Sequence, residues 1–223
     1  MTKHLQRDLE QLHRDILSLA SSVEEAIYRA IQALQKRDVA LAQQVIIGDE
    51  PIDEQENHIE EECLKILALH QPVAVDLRRI TAVLLINTDL ERMADLAEDI
   101  AERAVALATG VPIPIPDKLQ RMTDLTTSMV RQSLDAFVSL DSQHARRVCR
   151  LDDEVDHLNE EIIRELIATM QKSPDNIEPG LSLFSATRHL ERIADHATNI
   201  AEEVVYLVEG EIVRHHPERV KAH

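Results

Sequence analysis

This chain should fold as an all-α protein made of two tandem antiparallel three-helix bundles, related to each other as a pseudo-twofold repeat. Three observations predict this. The first is composition: among 223 residues there are four Gly, two Phe, two Tyr and no Trp, while Glu, Ala, Leu, Gln and Arg abound, a helix-forming mixture with little in it for a sheet. The second is an apolar spacing of three and four residues, held over whole segments. The third is an internal repeat. Residues 89–107 and 189–207 share 11 of 19 positions at an offset of 100, and both copies run into a glycine, Gly110 and Gly210. The repeats are placed at 1–110 and 111–223.

The elements follow in order. Helix one is expected from Thr2 to Gln35, with Leu5, Leu9, Leu12, Ile16, Leu19, Val23, Ile27, Ala30 and Leu34 along one stripe. Lys36 and Arg37 then complement the negative end of its dipole. Asp38 caps helix two, which reaches Leu69 with a kink at Gly48 and Pro51, because a proline there removes a backbone hydrogen bond. Pro72 suits the first turn of helix three, which stops at Gly110. Pro112, Pro114 and Pro116 enforce an extended hinge over 111–117. Asp117 caps helix four (Lys118 to Leu140), and Asp141 or Ser142 opens helix five, ending near Gln171. A loop at Ser173-Pro174-Asp175-Asn176 precedes helix six, from Pro179 to Gly210.

Charge narrows the function. Against 41 acidic residues stand 24 basic ones, a formal net charge of −17, which disfavours nucleic acid and favours cations or basic partners. Met1 to Arg14 lacks the apolar core of a signal peptide, and the longest apolar run, Ala82 to Ile86, is far below the roughly 20 residues of a membrane span. A soluble intracellular protein is expected. Cys63 and Cys149 show no CxxC spacing and read as reduced thiols.

The repeat retains acidic residues at i and i+4: Glu91 with Asp95, and Glu191 with Asp195. That spacing stacks two carboxylates on one face with Cβ atoms about 5–6 Å apart, so each pair repels itself unless a cation lies between. Upstream, Asp49 with Asp53 and Asp152 with Asp156 form a second such pair in each half. Asp53 and Glu91 lie at nearly equal distances from the Gln71–Pro72 turn, and Asp156 and Glu191 from their own loop. Antiparallel neighbours about 8–10 Å apart would therefore bring four carboxylates together in each half. Hard oxygen donors without thiolate suit iron, manganese, magnesium, calcium or, less well, zinc, and four carboxylates call for more than one ion per site. Glu98, Asp99 and Asn199 are secondary candidates, with Glu102, Glu202, Glu56, Glu60 and Glu160 behind them. His196 is a further candidate ligand, though Leu96 takes its place in the first copy. The competing reading is a solvated acidic face.

Leu190-Glu191-Arg192-Ile193-Ala194-Asp195-His196-Ala197, followed by Asn199-Ile200-Ala201-Glu202, resembles the signature of the PhoU family. So do the Asp89–Glu102 copy and Ala145-Arg146-Arg147-Val148 followed by Asp152 and Asp156. The departures are Ala94 and Ala194, where the family often has glycine, and Asp99 opposite Asn199. The resemblance implies a cytoplasmic, often dimeric and non-enzymatic negative regulator of the phosphate-starvation response. It would couple a phosphate ABC transporter, through its ATPase, to a sensor histidine kinase, with no membrane span but room for a peripheral place at the membrane. It also implies multinuclear metal clusters on Asp49/Asp53, Glu91/Asp95, Asp152/Asp156 and Glu191/Asp195. Two alternatives stand beside it. One is a di-iron carboxylate oxidase, for which Glu10-x-x-His13 and Glu154-x-x-His157 offer the expected spacing. The other is a metal-free helical scaffold. Arg146, Arg147 and Arg150 are read as a basic turn, open to phosphate or to a mixed-charge face.

Overall fold

A stripe of apolar side chains on every long segment forces helix to pack on helix, and the computed structural model, which describes residues 3–210 and residue 213, builds six rods in this way. They are α1 (Lys3–Lys36), a second rod divided into α2 (Val39–Ile47) and α3 (Glu50–His70), α4 (Val75–Thr109), α5 (Asp117–Ser139), α6 (Ser142–Met170) and α7 (Ile177–Glu209). Thr2, the expected start of the first rod, lies outside the described residues. No described helix is long and apolar enough to cross a membrane.

Several expected caps are present. The Asp38 side chain accepts from the Leu41 amide at 3.0 Å and that of Asp141 from the His144 amide at 2.9 Å, each meeting an amide that a helix start leaves unpaired. Gly210 ends α7 in the left-handed region at φ 73°. Other boundaries differ from expectation. The kink in the second rod is a break: Gly48 closes α2 by donating to the Gln44 and Val45 carbonyls, and Asp49 precedes a new helix with Pro51 in its first turn. Pro72 does not open the following helix. Gln71 and Ala74 both take positive φ (44° and 50°), so the chain turns through 71–74 and α4 starts at Val75. Asp117 is the first residue of α5 rather than its cap, a place held by Pro116. A 3-10 turn at Pro174–Asn176 leads into α7, which begins at Ile177, ahead of Pro179.

The core is organised around α4 and α7. The first three helices pack on α4, α5 and α6 pack on α7, and α4 and α7 pack on each other. Contacts between Asp89 and both His196 and Asn199, and between Asp99 and His189, show that the central pair runs antiparallel. Residues 94 and 194 therefore meet near the crossing. Both are alanine, and with Ala97, Ala101, Ala197 and Ala201 they are almost wholly buried. Small side chains let the two backbones approach closely, while Ile, Leu and Met on the flanks fill the remaining volume. This pairing places the acidic faces of α4 and α7 against α3 and α6.

Candidate metal centre

In the first half, Asp49 at the head of α3, Asp53 one turn on, and Asp95 of α4 bring one carboxylate oxygen each within 4.8 Å of one another. Two oxygens on opposite sides of a hard cation are about 4–5 Å apart, given bonds of roughly 2.0–2.6 Å, so this spacing is one that an ion can bridge. Asp49 makes no side-chain cap bond to α3. Its carboxylate is left free at the positive end of a helix dipole, where anions are favoured. Burial, followed by the charges of Asp53, Glu98, Asp95 and Glu91, pushes the Asp49 pKa up to about 6. Glu91 is raised by burial and then by Asp95, Glu56 and Asp53, and Asp95 by burial and then by Asp53 and Asp99. Glu98 is raised by burial, Glu102 and its other acidic neighbours. Arg92 eases Glu91 and Asp95 from a distance, yet Asp49, Asp53, Glu91, Asp95 and Glu98 have no ion pair among the described residues.

The second half repeats the arrangement with changes. Asp152 and Asp156 lie inside the unbroken α6, facing Glu191 and Asp195 on α7. Burial, then Asp195, Asp156 and Asp153, push the Asp152 pKa up to about 7, while the nearby Thr198 hydroxyl pulls it down. That hydroxyl is beside the carboxylate but outside hydrogen-bond geometry, so Asp152 Oδ1 is buried without a hydrogen-bond partner, as is Glu191 Oε2. Asp195 is pushed up to about 6 by burial, Glu191 and Asp156, opposed by His196 and Arg188. Burial and Asp153 raise Asp156, and Arg188 again opposes. Arg188 Nη1 donates to Glu191 Oε1 at 2.6 Å. Among the described residues, this half does not close three oxygens to the spacing reached around Asp95. The orphaned buried carboxylate oxygens of the second half, and in both halves the crowded acids with raised pKa values, suit a hard cation.

The secondary candidates separate. Glu98 belongs with the first cluster. Asp99 faces His189 of α7 at 3.7 Å, and Asn199 donates through Nδ2 to Asp89 at 3.1 Å. His196 is buried with Nδ1 2.8 Å from the same Asp89 oxygen, which directs it across the central helix pair. Glu56 accepts from Asn87 at 3.1 Å. Glu60 is exposed, Glu160 pairs with Arg164, Glu102 pairs with Arg103, and Glu202 bears on Cys149. The two Glu-x-x-His segments do not converge. Glu154 engages Arg121 and His157 faces Glu161, while Glu10 and His13 line a cavity on α1. Arg146 is fully buried and bonds Glu209 at 2.7 Å, so it is not an open phosphate ligand. Cys63 and Cys149 are free thiols pushed up to about 12 by burial.

Reasoning from the sequence missed Arg188 and the link from Asp89 to His196 and Asn199. The signal was present where the two copies differ: Thr88 against Arg188, Asp89 against His189, Leu96 against His196 and Asp99 against Asn199.

The family model described as the PhoU domain matches the chain twice, over residues 16–104 and 119–204. This chain belongs to the PhoU family. A protein of Aquifex aeolicus named phosphate-specific transport system accessory protein PhoU homolog is 43% identical over 209 residues, covering 94% of this chain and 95% of that protein. A Pseudomonas putida protein of the same name is 40% identical, covering 96% and 86%. Two PhoU crystal structures superpose closely. That from Pseudomonas aeruginosa has TM-score 0.89 and 38% identity over 92% of this chain and 99% of the other. The phosphate transport system regulatory protein PhoU from Streptococcus pneumoniae has TM-score 0.87 and 31% identity over 94% and 99%.

Proposed function

We propose that this chain is a non-enzymatic, metal-binding regulator of phosphate uptake and phosphate-starvation signalling. It acts in the cytoplasm, as a homodimer, as an adaptor between the phosphate ABC transporter's ATPase and a sensor histidine kinase. What supports a role in phosphate uptake is similarity along almost the whole chain to proteins named as accessory to phosphate transport. The observation that carries the metal reading is the set of three oxygens from Asp49, Asp53 and Asp95 within 4.8 Å, without a basic partner.

Iron, manganese, magnesium or zinc fits these hard donors. Asp49, Asp53, Glu91 and Asp95 would hold the metal in one half, and Asp152, Asp156, Glu191 and Asp195 in the other. The bound cations cancel charge that otherwise drives α3 from α4 and α6 from α7, so loading the clusters stiffens the rods that partners touch. Glu98 borders the first of these sites, while Asp99 and Asn199 are engaged across the central helix pair. Phosphate status then selects which partner contacts persist. The test is affinity capture of the tagged chain from phosphate-replete cells, with elemental analysis of the same sample. Recovery of the transporter's ATPase or a histidine kinase, together with metal in stoichiometric amount, is the expected result. A metal-free sample that still captures both partners sinks the metal reading, and capture of neither sinks the adaptor.

A further inference from the structure

Residues 3–15 of α1 precede the first segment matched by the family model. They overhang the place where the start of α4 meets the ends of α5 and α7, and a cavity of about 440 Å³ lies beneath them. That volume is within the range of small-molecule sites, roughly 300–1,000 Å³. Its floor is apolar: Leu12, Val83, Phe137 and Leu207 are buried there, and the His13 ring packs on Phe137 with centroids 5.6 Å apart. Its rim is cationic and apolar, with Arg14, Arg79, Val138 and Leu140 all exposed. Arg79 makes no ion pair or hydrogen bond among the described residues, and the partner of Arg14 is the neutral Gln11. In a chain with 41 carboxylates and 24 bases, an arginine with no paired acid among the described residues at an apolar mouth is a site shaped for an anion from outside. Among the described residues of the lining the one acidic side chain is Glu10, which accepts from Gln6, also of the lining, at 3.1 Å.

We propose that this cavity binds a free single-chain amphiphile with an anionic head, an acyl carboxylate, with the chain on the Leu12–Phe137 floor and the head at Arg79 and Arg14. A guanidinium and a carboxylate match in fork geometry, and the floor offers the chain apolar burial. The site lies apart from the carboxylate clusters and does not depend on the phosphate-regulator reading.

The test is calorimetric titration of the full chain, below the micelle concentration, with dodecanoate, dodecanol and dodecyltrimethylammonium. Dodecanoate is expected to bind one to one at a Kd on the order of micromolar, and at least about tenfold tighter than the other two. Arg79→Glu is expected to weaken it by about tenfold or more, the scale of one charged hydrogen bond. Val138→Glu, at an exposed position, is expected to do the same, with the circular-dichroism melts unchanged for both variants. The overall negative charge of the protein favours the ammonium amphiphile, so equal or tighter binding of that probe overturns the proposal, as does an unchanged affinity in Arg79→Glu. Binding to phosphatidylglycerol vesicles with none to monomeric dodecanoate also overturns it and reassigns the surface to a membrane.

Discussion

The two carboxylate clusters share four positions and differ in how their charge is met. In the first half, Asp49 and Asp53 stand at the start of α3, where the helix break leaves unbonded amides and a positive dipole end. Around them gather Glu56, Glu91, Asp95 and Glu98, with no paired base. In the second half the positions equivalent to Glu56 and Glu98 are Asn159 and Thr198. Those of Asp49 and Asp53 fall inside a continuous helix, and Arg188 replaces Thr88 to pair with Glu191. One cluster relies on a helix end and an external cation, and the other carries part of its counter-charge on its own chain. Duplication kept the ligand letters and let the electrostatics diverge, so the two sites are expected to differ in cation affinity, with the first the tighter.

The largest effect that tests this difference comes from removing ligands one half at a time. The double variant Asp49→Asn with Asp95→Asn is expected to lower manganese affinity of the first site by about a hundredfold or more, roughly 2.7 kcal/mol, with helicity by circular dichroism unchanged. Asp152→Asn with Asp195→Asn is expected to remove a weaker class of sites. Calorimetric titration that shows two identical classes, or a dominant class lost with the second pair instead, ends the claim of asymmetry.

Next in size is the link between the halves. His196 and Asn199 both reach Asp89, one oxygen of which therefore serves two donors from α7. Replacing His196 by Leu, the residue at 96, is expected to cost about 1.5–3 kcal/mol, the range for a hydrogen bond to a charged group. The reciprocal contact is looser, with His189 Nδ1 and Asp99 3.7 Å apart and Asp99 partly exposed. His189→Gln is expected to cost under about 1 kcal/mol. Urea midpoints that rank the two variants in the opposite order count against the reading that Asp89 holds the centre.

Much of this was legible in the letters and some was not, for physical reasons. The i, i+4 acidic pairs and their matched distances from the turns were readable because helix geometry converts spacing into direction. Gly48 and Pro51 were readable as a disruption. Whether the helix bends or stops depends on the packing of α2 against α4, which no local signal carries. The start of α4 was misplaced because Pro72 is compatible with a first turn, yet positive φ at Gln71 and Ala74 delays the helix to Val75. His196 beside Asp195 was a candidate ligand on spacing, weighed against an ordinary polar-face histidine. Its direction is set by Asp89 on another helix 107 residues away, and an antiparallel α4–α7 crossing is a tertiary fact. Arg188, three residues before Glu191, was readable as an ion pair. Its weight came from the absence of a base at Thr88.

Exchanging those two residues gives a smaller and more direct test of the comparison. Arg188→Thr releases Glu191 Oε1 and leaves the second cluster without its internal cation, so its metal affinity is expected to rise by about tenfold, near 1.4 kcal/mol. Thr88→Arg is expected to lower the first site's affinity by a similar factor. An affinity in Arg188→Thr that stays the same or falls shows that the guanidinium is not competing with the ion.

The last effect is on pH. Asp49, Asp152 and Asp195 have folded-state pKa values raised from 3.8 to about 6, 7 and 6. A carboxyl raised in this way holds its proton more firmly in the folded chain, so its contribution to stability is fully present below its ordinary value and is lost as pH climbs through the raised one. Asp8 and Asp141 shift the other way, held low by His70 and by the His144 amide, and both are already ionised above pH 5, so they add no slope in this window, whereas His13 and His189, held low by burial, oppose the fall below their ordinary value. The metal-free protein is therefore expected to melt progressively lower between pH 5 and pH 7, by about 2–4 °C for each kcal/mol lost. Saturating manganese should flatten the curve, because the ion replaces the proton as counter-charge. Asp49→Asn should take out slope that ends near pH 6 and Asp152→Asn slope that continues to near pH 7, so the two halves separate between pH 6 and pH 7. A metal-free melting curve that is level or rises across this range contradicts the crowding of carboxylates on which the comparison rests.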